Sequence, residues 1–576
     1  MRRSALAVFA MLLLAGLPAR SDDWGQWGQN AQHTGATSAV GQRALHMIDD
    51  IIYDPFVDAE KADPFAAPDL LVHYQVPLID GNDVYMEFKS GTFTDLQHWG
   101  TQTWNEKKLH WLNNHLVIDW NFQSDWKPVP FASLDTGNGP FWEPVFHAAL
   151  AGPFVYVPGF GGSIFKVNRV TGAQVARISP FGALDPNTFV AGPLTTDAAG
   201  NVYYNVMKLD ATNPWDVDVV NSWLVKVSAT GTVKTATYKS LTPGAPGGND
   251  QCLGIFDTAD LPWPPSPNAV PPTVPCGTQR PGNNVAPAVA PDGTIYVVSV
   301  AHLWSRHAYL IAANSNLTPK WKASLRDRFN DGCNVLLPPN GQPDGCRTGS
   351  HTGVDPAQNR PGAGRVIDDS TSSPVVAPDG SVFYGAYTRY NYAQGHMMKF
   401  SSNGNFLAAY RFGWDDTPAI YAHDGTYSLL TKDNQYGGVG SYCNDETFCP
   451  SDRTANNPAF PEAYFITRLN SSLTPEWRWQ NTNTLSCSRD DHGNVTCVSD
   501  HPAGFEWCVN APAVDRNGVV YNNSEDGGLY VIRNNGTLRD HLFLKLALGA
   551  AYTPISIAAD GKVLAQNDGH LYVVGE

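Results

Sequence analysis

Eight times along the chain a small residue and a proline lead into a short apolar run, a glycine-bearing turn and a further strand, usually with an aromatic. A repeat of that kind constrains the fold more than any composition does. The plainest copies run from Ala286-Pro287 through Asp292-Gly293 to Tyr296 and from Ser373-Pro374 through Asp379-Gly380 to Phe383. Six more are anchored at Pro77, Pro144, Pro193, Pro418, Pro512 and Pro554, with turn glycines Gly81, Gly152, Gly200, Gly425, Gly518 and Gly561. Asp-Gly and Asn-Gly accept the positive φ of tight hairpins, which explains their recurrence at these corners. A second hairpin follows most copies, as in Ile164 to Gly172, Tyr309 to Trp321, Met398 to Gly404, Tyr464 to Trp477 and Leu529 to Gly536. Each repeat is therefore predicted to be a four-stranded antiparallel sheet. One such sheet cannot bury both faces, and eight around an axis can. The predicted fold is all-β, a single eight-bladed β-propeller. The last copy ends one strand short at residues 570–576, and residues 46–53 are the candidate for the missing outer strand, an arrangement that pairs the two ends and removes open edges. A sandwich or a solenoid competes, but a solenoid needs a more even repeat and capped ends.

Residues 1–21 have a basic start at Arg2 and Arg3, an apolar run from Ala5 to Leu17 and small residues before Ser21, the pattern of a cleaved export signal. The run is too short to span a bilayer. The expectation is a signal peptide at 1–21 and a propeller at 22–576, secreted or periplasmic, without membrane insertion or lipid anchor, and monomeric. The signal holds three of the 38 basic residues and no acidic one, so removing it takes the formal charge from −16 to −19, which argues against nucleic acid as a partner. All nine cysteines follow Gln251. In an exported chain their close spacing reads as disulfides Cys252–Cys276, Cys333–Cys346, Cys443–Cys449 and Cys487–Cys497, with Cys508 left over. No C-x-x-C pair sits beside a second pair or a histidine couple, so zinc ranks below disulfide.

The Asp-Gly-x-Val-Tyr repeat with its following Gly turn and Trp, together with Trp24-Gly-Gln-Trp27-Gly-Gln-Asn30-Ala-Gln-His33-Thr34-Gly35, resembles the PQQ-binding-like (quinoprotein-type) β-propeller superfamily. The resemblance implies the fold. It also implies two kinds of function: alcohol dehydrogenases that hold pyrroloquinoline quinone and calcium on the axis, and non-enzymatic outer-membrane assembly lipoproteins. The chain lacks the adjacent Cys-Cys pair and the lipidated cysteine of those groups, and only Val167 to Gly172 stays close to the family's blade motif. Fold transfers on such evidence and function does not.

With strands lettered A to D outward from the axis, the A–B and C–D turns are short. The long insertions fall at residues 87–113, 205–222, 385–395 and 428–462 between strands B and C, and at 241–283, 326–369 and 481–507 between blades. One face is thus elaborated, and long cross-linked loops on a rigid scaffold are where binding lies. Residues just before each repeat proline should ring the channel mouth there: His73 and Tyr74, Trp142 and Glu143, Phe189, Asn283 and Asn284, Asp368 and Asp369, Trp414, Asp415 and Asp416, Glu506 and Trp507, and Tyr552. Oxygen ligands suit a hard cation, so Glu143, Asn284, Asp369 and Asp416 are candidate calcium ligands. Trp414 and Trp507 are candidates to stack a flat ligand, with Asn284 beside them. The leading expectation is binding of a small molecule or an extracytoplasmic protein at this face. The first alternative is a divergent oxidoreductase using pyrroloquinoline quinone and calcium, with Asp369 or Asp416 as general base. The second is a hydrolase or lyase acting on a polysaccharide, suggested by loop aromatics.

Overall fold

A computed structural model describes residues 23–66, 69–132, 139–253, 273–326, 328, 354–355, 360–361, 365–390, 394–435, 462–507, 511–549 and 552–576. The predicted signal peptide, Cys333, Cys346, Cys443, Cys449 and Cys508 lie outside them.

The eight repeats form eight antiparallel blades, and the fold is the eight-bladed β-propeller that the repeat implies. In order they span residues 78–123, 149–178, 188–237, 279–324, 375–413, 419–481, 513–543 and 556–575. The last blade is completed by the N-terminal strand His46–Ile52, whose register runs from His46 opposite Gly575 to Ile52 opposite His570. In blades 3 and 4 the innermost strand comes in two pieces, Thr188–Val190 with Thr195–Thr196 and Gln279–Pro281 with Ala288–Val289, each pair lying on one second strand. The repeat prolines Pro193 and Pro287 sit in these breaks, where a missing N–H costs no ladder bond.

The repeat's chemistry accounts for the local structure. Gly293, Gly380, Gly518 and Gly561 turn at φ between +75° and +88°. Asp292 and Asp379 each accept the backbone N–H two residues on. The outer-strand tryptophans lock neighbouring blades together. Trp120, Trp321 and Trp477 donate their indole N–H to the carbonyls of Arg169, Ser402 and Asn534 in the next blade at 2.8–3.0 Å. Each indole lies against the glycine of that blade's third-to-fourth-strand turn: a Cβ on Gly172, Gly404 or Gly536 would stand 2.7–2.8 Å from it. Gly404→Ala is therefore expected to lower stability by about 2 kcal/mol in denaturant titration, combining the +82° φ with a clash on Trp321. Gly152→Ala, at φ +54° with nothing within 4 Å of the added carbon, should cost clearly less. Equal losses would mean that the indole contact contributes nothing.

The described insertions have other boundaries than the sequence suggests. The stretch 87–113 is mostly strand: Asp83–Gly91 pairs with Gln102–Leu112, leaving 92–101 as the connection. Likewise Val202–Lys208 and Asn221–Val227 leave 209–220, and Val382–Tyr390 pairs with Gln394–Phe400. The polar residues that suggested loop are ladder partners, Glu87 with Glu106 and Lys89 with Trp104. The described parts of the inter-blade insertions include two hairpins, Gln251–Leu253 with Thr273–Pro275 and Leu485–Arg489 with Val495–Ser499. They carry the disulfides Cys252–Cys276 and Cys487–Cys497.

The opposite face is closed by the N-terminal segment. Residues 24–42 pass along the inner rim of all eight blades in chain order. Trp24 pairs with Ile79, Gly25 accepts from Leu150, and Gln26 exchanges two bonds with Thr196. Ala31, Gln32, Thr34 and Gly35 accept from Val289, Val376, Ile420 and Val514, and Gln42 donates to Gly561. Trp24, Trp27 and His33 are fully buried. Trp27 packs on Ala286 of the fourth repeat and Ala511 of the seventh, and its ring lies 5.7 Å from that of His147 in the second, so the indole fills the bore.

Candidate functional site

The residues before each innermost strand meet on the axis at the elaborated face, where they cross-link the ring. His73, ahead of blade 1, directs Nδ1 at the Glu143 carbonyl (2.9 Å) and Nε2 at the Asp369 carbonyl on the far side of the axis (2.8 Å). Burial holds its imidazole below the usual range, against the pull of both carbonyls. Asn284, at φ +61°, accepts the Val145 N–H through Oδ1 and donates to the Asp368 carbonyl. The rings of His73, Trp142 and Tyr552 lie 4.7–5.5 Å apart. The Tyr552 hydroxyl donates to Asp415 at 3.1 Å, the Ser370 hydroxyl donates to the other oxygen of Asp415, and the Lys432 ammonium stands 3.7 Å from the same carboxylate and 5.2 Å from the Tyr552 ring. Behind this floor Arg280 grips Asp368 through two nitrogens at 2.9 and 2.6 Å.

Asp369 accepts the N–H groups of Phe141 and Trp142 on a single oxygen, at 2.7 and 3.1 Å. It stays partly exposed, as do Trp142 and Trp414. Burial pushes the Asp369 carboxyl up to about 7, against those two donors. Asp416 is fully buried, accepts from the Thr431 hydroxyl and the Lys432 N–H, leaves Oδ1 without a partner, and is also pushed up to about 7, mainly by burial.

Other expected ring members turn away. The Glu143 carboxylate leaves the axis for the Lys89 ammonium (2.7 Å) and Gln102 (2.8 Å). Lys89 is also held by Asp54 at 2.9 Å and Glu60 at 3.0 Å, all with buried side chains. Tyr74 donates to Asp54 in the same cluster. The Trp507 indole is buried between blades 6 and 7 against Trp479 and Tyr530, so it presents no face to a ligand at the mouth. Phe189 is buried with Trp215 and Val129. Glu506 accepts from Asn434. Glu143, Asn284, Asp369 and Asp416 are thus each engaged by different protein groups. Among the described residues no three His, Cys, Asp or Glu side chains are disposed to hold a metal ion. As placed, the quartet does not fit calcium, and no step through a metal or a quinone follows from it. Lys432, Arg280 and Ser370 were missed because none stands directly before a repeat proline: Lys432 is a polar residue of a second strand, Arg280 lies in the first piece of blade 4's innermost strand, and Ser370 stands four residues ahead of Pro374.

A cavity of about 420 Å³ lies on the outer rim between the closing strand and the disulfide-pinned hairpin, lined by Asp49, Asp50, Asp490, Asp491, Lys545 and His570 among others. It is separate from the axial floor.

The buried carboxyls give the fold a pH signature. Glu106 is pushed up to about 8 by burial, and Asp369 and Asp416 to about 7, from ordinary values of 4.5 and 3.8. The folded chain keeps protons that the unfolded chain releases, so these groups lose stability as pH rises from the unfolded values through the folded ones. His33, His147 and His302, lowered by burial to about 4, 3 and 3 from 6.5, act oppositely and lose stability as pH falls below 6.5. The two sets therefore oppose each other below about pH 6.5, and above it only the carboxyls act, so stability should fall toward pH 8, with Glu106 contributing up to about 2 kcal/mol between pH 6.5 and 8. Glu106→Gln is expected to flatten that alkaline fall in thermal melts; an unchanged slope would contradict the assignment.

No protein-family model and no curated protein matches the chain. Among solved structures it is similar to a europium-containing methanol dehydrogenase, at 9% identity and a TM-score of 0.50, over 96% of this chain and 90% of that one. It is also similar to the quinohemoprotein alcohol dehydrogenase from Comamonas testosteroni, at 11% identity and a TM-score of 0.50, over 97% and 82%. At these identities the likeness shows the fold alone, a β-propeller. Among the described residues no helix is long and apolar enough to cross a membrane.

Proposed function

We propose that the chain is an exported, extracytoplasmic propeller that binds a small ligand on the axial floor of its elaborated face. One observation carries this reading: Trp142, Asp369 and Trp414 remain partly open beside a floor of buried, cross-linked side chains. A rigid base with a few open polar and aromatic groups is the usual make-up of a small-molecule site. The closed opposite face leaves the elaborated face as the side of approach. The dehydrogenases that share the fold act on alcohols by their names, but the separately engaged oxygen groups here supply no cofactor cradle, so binding ranks ahead of oxidation.

The test is native mass spectrometry of the full chain purified gently from its host, followed by thermal-shift screening of any extracted compound. A bound molecule whose stabilisation disappears in Trp142→Leu supports the reading. Stabilisation of equal size in that variant would place the ligand elsewhere and overturn it.

A further inference from the structure

The open groups of the floor also carry information about the sign of the ligand's charge. Both cations of the floor are already matched. Arg280 is clamped by both oxygens of Asp368, and Lys432 faces Asp415 beneath the Tyr552 ring. Asp369 is the carboxylate left over. Among the described residues it makes no ion pair, both of its hydrogen bonds fall on Oδ1, and its second oxygen carries none. Arg365 is the cation whose charge it feels, without contact. Trp142, whose backbone N–H donates to Asp369 and whose indole is in ring contact with His73 and Tyr552, is partly exposed. A free carboxylate oxygen beside an open indole is a pairing that attracts a positive charge twice, through the ion pair and through the ring's negative face. The chain's formal charge of −16 adds a long-range pull of the same sign.

We infer that the axial mouth selects an organic ammonium ligand, its nitrogen at Asp369 Oδ2 and its carbon groups against Trp142. This rests on the ligand-binding reading above and adds the chemical class to it. It also runs against an anionic quinone as the native occupant, because such a ligand would meet the Asp369 carboxyl.

The experiment titrates the full chain by calorimetry and tryptophan fluorescence with tetramethylammonium and spermidine, and in parallel with acetate and pyrroloquinoline quinone as anionic probes. Asp369→Asn, in which the side-chain carbonyl still accepts the Phe141 and Trp142 N–H groups, and Trp142→Leu are each expected to weaken ammonium binding about tenfold. Asp560→Asn, in a turn on the closed face, should leave it unchanged, and melts of all variants verify folding. Equal ammonium affinity in wild type and Asp369→Asn overturns the inference. Saturable binding of an anion, lost in Trp142→Leu, with none of an ammonium, overturns the charge assignment while leaving the mouth as the site. No binding by any probe of either sign counts against both.

Discussion

Replacing Lys89 by methionine is expected to remove about 3–5 kcal/mol of stability, read as a shift of the urea midpoint at unchanged slope. Its ammonium is the shared partner of Asp54, Glu60 and Glu143 at 2.7–3.0 Å, and every side chain in the cluster is buried. Methionine matches the length and leaves the carboxylates without a cation in a medium that tolerates charge poorly. The three are not equivalent. Burial, then Asp54 and Glu143, raise Glu60 against the pull of Lys89, so Glu60→Gln should rescue Lys89→Met little. Asp54→Asn is expected to rescue more, since the Tyr74 hydroxyl can still donate to its amide oxygen. A Lys89→Met variant within 1 kcal/mol of wild type would show that the cluster relaxes or hydrates, and that it does not hold the segment after the closing strand against blades 1 and 2.

Deleting residues 24–42 is expected to have the larger effect still, loss of the cooperative fold at 25 °C. The segment supplies hydrogen bonds to the innermost strands or first turns of all eight blades and buries Trp24 and Trp27 completely. Trp27→Ala alone should cost about 3–5 kcal/mol, since nothing nearby can fill the bore. Because the contacts are mostly backbone bonds and two large side chains, a synthetic peptide of residues 24–42 added to the deleted chain should restore circular-dichroism melting in a concentration-dependent way. A deleted chain that melts within about 2 °C of the intact one would mean that the blades close without it.

Much of the fold was legible because each requirement leaves a local mark. A hairpin needs a residue tolerant of positive φ, so Asp292-Gly293 and Asp379-Gly380 announce the turns. The outer tryptophans announce the next blade's glycines, and the missing eighth outer strand announced His46–Ile52. The site was legible only in part, because a strand's side chains alternate. Trp142 faces the axis and Glu143, one residue on, faces Lys89 in blade 1. Asp415 reaches Tyr552, while Asp416 turns to Thr431. Position before a proline places a residue at the right level without saying which way it points. Trp507 shows the same limit, since a large apolar ring gains more by burial between blades than by facing water. The rim-following segment leaves no periodic mark at all, because its register comes from eight separate blades.

That the His46–Ile52 strand pairs with His570–Gly575, far along the chain, has a consequence in time. Gln42 accepts a hydrogen bond from the backbone of Glu576, and the strand made first pairs with the strand made last. During synthesis the His46–Ile52 strand has no ladder partner until His570–Gly575 is made, so blade 8 stays incomplete until then. A chain on which His570–Gly575 is not yet made therefore carries an open seam at blade 8, and the pairing of that strand with His46–Ile52 is what seals the ring.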